Sequence, residues 1–225
     1  MCGIAGAIWW NPALVVSAEI LQRMTDSLRH RGPDAGGAWF QSPPDVSALT
    51  CTAPAVALGH RRLSIIDVSG SPQPLGNEDG SVQISFNGEI YNYYDIIRNN
   101  KFRLKSNSDC EIIYHLFRKY DENIEDVCNA LNGEYAFVLV KMTKTYRIYA
   151  GRDICGVRPL FYHNKFYEYI CFSSLLSGLP HADNSSTNMP FPPGHYYIYK
   201  SDSAKENHFC KYNKYNLILD SQKLY

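Results

Sequence analysis

The stretch Met1-Cys2-Gly3-Ile4-Ala5-Gly6-Ala7-Ile8-Trp9-Trp10 opens the chain and places a thiol directly behind the first methionine. Methionine is normally removed when a small residue follows, and its removal makes Cys2 residue one. A terminal cysteine joins a thiol of reference pKa about 8.5 to an α-amine of about 7.7–8.0, so one residue supplies both nucleophile and general base. No separate histidine is then required. The apolar run GIAGAIWW behind the thiol reads as a buried strand, because it lacks the basic segment of a signal peptide and Pro12 interrupts it. The start of the chain is thus a strand headed by a candidate nucleophile.

The 225 residues suit one large domain or two small ones. Hydrophobic residues make up 45% of them, including 17 Tyr, 10 Phe and 3 Trp, which suffices for a sizeable core and favours sheet. Lys+Arg and Asp+Glu balance at 22 each, so no net field recruits nucleic acid or an anionic membrane, and a small polar substrate is expected instead. No segment reaches the roughly 18 apolar residues of a membrane helix, which predicts a soluble protein. The seven cysteines, at 2, 51, 110, 128, 155, 171 and 210, form no C-x-x-C pair. That scatter argues against a disulfide framework and a structural zinc site, and for a reducing cytoplasm. Without a G-x-G-x-x-G, P-loop or H-E-x-x-H pattern, neither a nucleotide nor a metal is implied.

After Asn11-Pro12, Ser17 is placed to cap a helix with Ile20, Leu21, Met24 and Leu28 on one face, ending near HRGPD. AVALGHRRLSIID and SVQISFN read as strands around the turn-rich SGSPQPLGNEDG. Ser108 and Glu111 have capping-box spacing ahead of a second helix through IIYHLF. EYAFVLVK and YRIYAG read as hairpin arms, and PLFYH, EYICFS and HYYIYK as further strands. Strands, helices and strands without regular βαβ alternation predict an α+β fold with mainly antiparallel sheets. From residue 201 the chain turns polar, so 1–200 reads as the domain and 201–225 as a tail or the start of a linker.

Several residues have the chemistry that amide hydrolysis needs. Asn87-Gly88 can offer a side-chain amide and a backbone N–H to an oxyanion, although Asn-Gly is also the commonest tight-turn pair. Arg62 can grip a carboxylate through two N–H groups, or bridge strands. Glu89 and Asp109 can hold an ammonium, while Asp109 equally suits a helix N-terminus.

MCGIAG, HRGPD, HRRLSIID, QP, FNGEIYN, SDCE, GEYAFVL, GRDICGVRPLFY and PPG occur in this order. Together they resemble the class II glutamine amidotransferase domain of glutamine-hydrolysing asparagine synthetases over roughly residues 2 to 200. The resemblance implies an N-terminal-nucleophile fold, an αββα sandwich with two mainly antiparallel sheets between helical layers. It implies Cys2 as nucleophile with its own amine as base, and Asn87 and Gly88 as the oxyanion hole. Arg62 would bind the glutamine α-carboxylate, Glu89 and Asp109 its α-ammonium, and backbone groups of Ile65 and Ile66 would line the pocket. HRGPD, its turn fixed by Pro33, would shape the loop beside Cys2. The implied reaction is L-glutamine plus water to glutamate and ammonia through a Cys2 thioester, with the ammonia destined for asparagine.

Purine and hexosamine amidotransferases share the terminal Cys and the Asn-Gly pair; LSIID and the Glu of NGEIYN favour the asparagine synthetase branch. No cofactor is implied for this domain. ATP and Mg²⁺ would belong to a synthetase domain, whose Ser-Gly-Gly-rich loop does not occur in this chain, and the implied partner is that domain or a separate synthetase subunit. In FSSLLSGL, Leu175 stands where the family usually has Glu, at a position associated with the partner domain. The alternatives are a module that binds glutamine without turnover and signals its level, and a structural remnant.

Overall fold

Alternate side chains of strand β1 (Gly3–Trp9) serve two different cores, and the strand is buried along its whole length. Ile4 and Ile8 point one way, into a cluster with Val56, Leu58, Ala136, Val138 and Ile148. Ala5, Ala7 and Trp9 point the other way, onto Leu21, Met24 and Leu28 in and just after helix α1 (Ala18–Asp26). A strand buried on both faces belongs inside a layered sandwich.

The computed structural model describes residues 1–9, 18–41, 55–64, 72–106, 108–142, 146–165, 168–180, 188–200 and 203–212. Within them, β2 (Ala35–Gln41), β3 (Ala55–Arg62), β4 (Leu75–Gly76) and β5 (Val82–Ile90) lead to α2 (Tyr93–Asn100), α3 (Glu111–Lys119) and α4 (Ile124–Ala130). Strands β6 (Gly133–Met142), β7 (Tyr146–Arg152), β8 (Phe161–Lys165), β9 (Tyr169–Ser173), β10 (Asn188–Pro190), β11 (His195–Lys200) and β12 (Ser203–Lys211) follow. One sheet has the order β10-β8-β9-β1-β3-β2, the other β12-β11-β7-β6-β5-β4, and their ladders are antiparallel. The outer face of the second sheet carries Ile84, Phe86, Phe137, Leu139 and Tyr149 against Ile112, Ile113, Leu116, Phe117 and Val127 of α3 and α4. The layers are therefore helix, sheet, sheet, helices, as the α+β reading requires. No helix among the described residues is long and apolar enough to cross a membrane.

Local chemistry explains most boundaries and two departures from expectation. α4 starts where the Asn123 side chain accepts from the N–H groups of Glu125 and Asp126. α3 has no such cap: Glu111 does not reach back to Ser108 but accepts from the backbone N–H groups of Lys105 and Ser106, so the capping box does not form. Ser17 lies outside the described residues. The tail placed at 201–225 is corrected over 203–212. There β12 pairs with β11, Tyr196 facing Cys210, and Tyr212 is buried with its hydroxyl donating to the Arg152 carbonyl at 2.8 Å. An outermost strand gains its order from backbone bonds to one neighbour, which polar composition does not betray.

Asp153 ties the second sheet to the GRDICGVRPL loop. Its fully buried carboxylate accepts from the backbone N–H groups of Tyr135 (3.2 Å), Cys155 (3.1 Å), Val157 (2.9 Å) and Arg158 (3.1 Å). Removing the acceptor orphans four donors at once, so Asp153→Ala is expected to lower unfolding free energy by about 3 kcal/mol in urea denaturation.

Candidate active site

The apolar space between the sheets turns polar at one end, and period-two alternation dictates where. Inward positions of β3 run Val56, Leu58, His60, Arg62; because Val82, Ile84 and Phe86 face the helices, Gln83, Ser85, Asn87 and Glu89 of β5 face inward. Cys2 is in step with Ile4 and Ile8, and β1 and β3 both pack across the sandwich against β5. The thiol, the guanidinium and the carboxamide thereby come to the same end.

The half-buried Cys2 sulfur lies beside the end of β3. It accepts from the Leu63 N–H at 3.4 Å, and the thiol approaches the Leu63 carbonyl at 3.8 Å. The strand behind it is pinned by a two-way contact with Ser174, whose hydroxyl accepts from Ile4 N–H and whose own N–H donates to the Ile4 carbonyl, both at 3.0 Å.

The HRGPD loop does more than shape the surroundings. Arg31 Nε donates to the Cys2 carbonyl at 3.0 Å, and Asp34 Oδ2 accepts from Ser64 N–H at 2.7 Å. Gly32 is required by close approach, because a Cβ there would sit 2.4 Å from the Arg61 carbonyl carbon. Burial lowers the Arg31 pKa; the Arg158 cation lowers it further, whereas Cys2 acts in the opposite sense. Sequence reasoning missed Arg31 and Ser174 as partners of the nucleophile's strand, although both stand in motifs already singled out.

Arg62 lines a cleft of about 190 Å³ with Gly36, Gly37, His60 and Gln73. His60 faces Ser85 across the two sheets, Nδ1 to Oγ at 3.4 Å, and the Ser85 hydroxyl donates to the Gly59 carbonyl at 2.9 Å. With the hydroxyl proton so committed, Oγ accepts from Nδ1–H, which assigns the neutral tautomer with its lone pair on Nε2. Burial first, and the Arg62 charge second, depress the His60 pKa to about 3.

Asn87 and Gly88 are on β5, so the pair does not form a tight turn. Asn87 is 2% exposed, and its Nδ2 is buried with no hydrogen-bond partner in the described structure. The ladder of β5 with β6 alternates: Met142 N–H donates to Ser81 O and Tyr91 N–H to Asn132 O, so Gly88 opposite Tyr135 is a non-bonded pair and its N–H points away from β6. On that same side the Phe86 N–H meets the Gln73 side chain and the Ile90 N–H meets Asp109 Oδ2, each at 2.7 Å. A Cβ on Gly88 would lie 2.1 Å from the Glu134 carbonyl oxygen, so only glycine fits.

Asp109 is thus carried to the end of β5, beside the exposed Glu89. Its pKa is raised, by burial first and by the Glu89 charge among the lesser causes, which outweighs the bond from Ile90 N–H. Two clustered carboxylates, one desolvated, make a seat for a cation. Across the ladder Glu89 faces Glu134, which is ion-paired with Arg158.

Ile65 and Ile66 lie outside the described residues. Leu175 is half-buried against the α1 core cluster. Among the described residues no group of three or more His, Cys, Asp and Glu is arranged to hold a metal ion.

The family profile of the glutamine amidotransferase domain matches residues 1–216, and the chain belongs to that family. Its curated relatives include asparagine synthetase [glutamine-hydrolyzing] 2 of Oryza sativa subsp. japonica, 35% identical over 91% of this chain and 32% of the rice protein. A probable asparagine synthetase of Dictyostelium discoideum is 34% identical over 97% of this chain and 36% of its own length. The chain spans about a third of these relatives' length. Among solved structures, the glutamine phosphoribosylpyrophosphate amidotransferase of B. subtilis superposes with a TM-score of 0.69 at 21% identity, over 94% of this chain and 49% of that one. That likeness confirms the αββα sandwich.

The His60 environment gives a pH signature. The folded chain keeps the imidazole neutral to about pH 3, whereas the unfolded chain takes up the proton near 6.5. This stability is complete above 6.5 and is lost as pH falls toward 3, on the order of 5 kcal/mol over the full span. Unfolding free energies measured from pH 7 to 3 are expected to fall less steeply in His60→Gln than in the unaltered chain.

Proposed function

We propose that the chain hydrolyses L-glutamine to glutamate and ammonia, with Cys2 as nucleophile. The observation that carries the proposal is the buried Asn87 amide nitrogen, which has no partner among the described residues, because leaving a donor unpaired in the interior is costly unless a ligand completes it. Met1 is 52% exposed and so accessible for removal. The freed amine takes the thiol proton as sulfur attacks the carboxamide carbon, and Asn87 Nδ2 with the Gly88 N–H receives the oxyanion. The carbon–nitrogen bond breaks, ammonia leaves with the proton returned by the amine, and a thioester remains. Water, deprotonated by the same amine, adds to that thioester and releases glutamate with the thiol regenerated.

Arg62 holds the α-carboxylate, and Glu89 and Asp109 the α-ammonium. Every group used is an amino-acid group, so the hydrolysis itself calls for no cofactor. ATP and Mg²⁺ would act in a synthetase part, where the ammonia would be joined to an aspartate-derived acceptor. The free Cys2, Cys110, Cys128, Cys155, Cys171 and Cys210 suit a reducing cytoplasm.

Glutamate release by protein of confirmed Cys2 terminus tests the proposal. Cys2→Ala is expected to abolish turnover and Asn87→Ala to lower kcat about 10²–10³-fold. Protein that binds glutamine but does not turn it over would instead establish a sensor module, and no binding a structural role.

The raised pKa of Asp109 adds a second expectation. Protonation starts at a higher pH than the ordinary carboxylate value of 3.8, so KM for glutamine is expected to rise on acidification before ordinary carboxylates titrate, and this step is expected to vanish in Asp109→Asn.

A further inference from the structure

The glutaminase reading, on which this inference rests, assigns the substrate ammonium to Glu89 and Asp109 and leaves a third acid, Glu111, without a role. Glu111 is 1% exposed, yet it is ionised and saturated with donors. Oε1 accepts from Lys105 N–H and the Tyr114 hydroxyl, both at 2.8 Å, with His115 Nε2 at 3.4 Å; Oε2 accepts from Ser106 N–H at 2.9 Å and the Ser106 hydroxyl at 2.6 Å. Burial opposes its ionisation, but the bonds from Ser106, Lys105 and Tyr114 outweigh it and lower the pKa. With both oxygens occupied, this carboxylate has no capacity left for a substrate.

Its bonds lead to the residue that does. A helix cap needs only the N–H groups of the first turn, whereas Glu111 reaches past Ser108 to Lys105 and Ser106. The Ser106 Oγ that donates to Glu111 accepts in turn from Ser108 N–H at 3.3 Å, and Ser108 directly precedes Asp109. The Asp109 carboxylate then meets Ile90 N–H, next to Glu89. We infer that Glu111 is a positioning residue for recognition of the substrate α-ammonium: through Ser106 it fixes the segment that holds Asp109 against the end of β5. Removing its charge lets that segment relax, so that Asp109 moves out of range of the ammonium while Cys2, Asn87 and Arg62, mounted on other elements, stay in place.

The test compares L-glutamine with glutaramate, its analogue without the α-amino group, on protein of confirmed Cys2 terminus. Glu111→Gln is expected to raise KM for L-glutamine about tenfold with kcat within about twofold, and to leave the glutaramate inhibition constant unchanged. Ser106→Ala, which keeps the buried charge and removes only the relaying hydroxyl, is expected to move KM in the same direction about threefold. Equal weakening toward both ligands, a loss of kcat at constant KM, or an unchanged KM in both variants would overturn the inference. Wild-type turnover with unaffected variants overturns it alone, whereas a wild type that neither binds nor hydrolyses glutamine overturns the glutaminase reading as well.

Discussion

The antiparallel pairing of β1 with β3, which sets Gly3 opposite Arg61 and Ile4 opposite His60, is the constraint on which the site depends. Side chains alternate faces along a strand, so a slip of one residue would turn His60 and Arg62 toward α1 and send Ala57 and Gly59 into the space between the sheets. The register is held by both cores at once. Ile4, Ile8, Val56 and Leu58 are needed between the sheets, and Ala5, Ala7 and Ala57 under α1. Apolar burial deeper in the sandwich thus fixes which end of each strand is polar, and what it presents.

Two sheets contribute two halves of the site. The first brings Arg62 on β3, Cys2 bonded to Leu63 just past its end, and Arg31 bonded to the Cys2 carbonyl; the second brings Asn87, Gly88 and Glu89, with Asp109 hung on the Ile90 N–H. Contact between the halves includes a buried polar one, His60 to Ser85. A neutral imidazole there costs less than a charged one beside Arg62, which is why burial and that guanidinium act in the same direction on its pKa. Preorganisation of this kind places donors and charges before substrate arrives and leaves little to rearrange during reaction.

Buried carboxylates do the bracing. Asp153 gathers four backbone N–H groups of the strand and loop that carry Glu134 and Arg158, and Glu111 gathers the segment ahead of α3. In each case a short side chain at a fixed backbone position orders a stretch that has no ladder of its own. These acids differ from the two proposed to bind the substrate ammonium by saturation: Asp153 and Glu111 have their oxygens filled from within the fold, whereas Glu89 is exposed and Asp109 is held in a desolvated place that raises its pKa.

The sequence by itself determined the strand character of β1, β3, β5, β6 and β7, the α+β class and, through ordered motifs, the candidacy of Cys2 and of the other proposed site residues. Those signals are local: alternation, turn residues and a thiol at position two are visible within ten residues. Helices α2 and α4 and strands β2 and β12 were not legible. β2 is rich in glycine, β12 is polar, and each lies at a sheet margin where a neighbour's backbone supplies the order. Only the tertiary structure decided that Asn87-Gly88 lies in a strand, that Arg31 reaches the Cys2 carbonyl 29 positions away, and that Glu111 serves Ser106 instead of Ser108. The physical reason is that hydrogen-bond partners are chosen by proximity in the folded sandwich, and proximity across sheets and loops has no period along the chain.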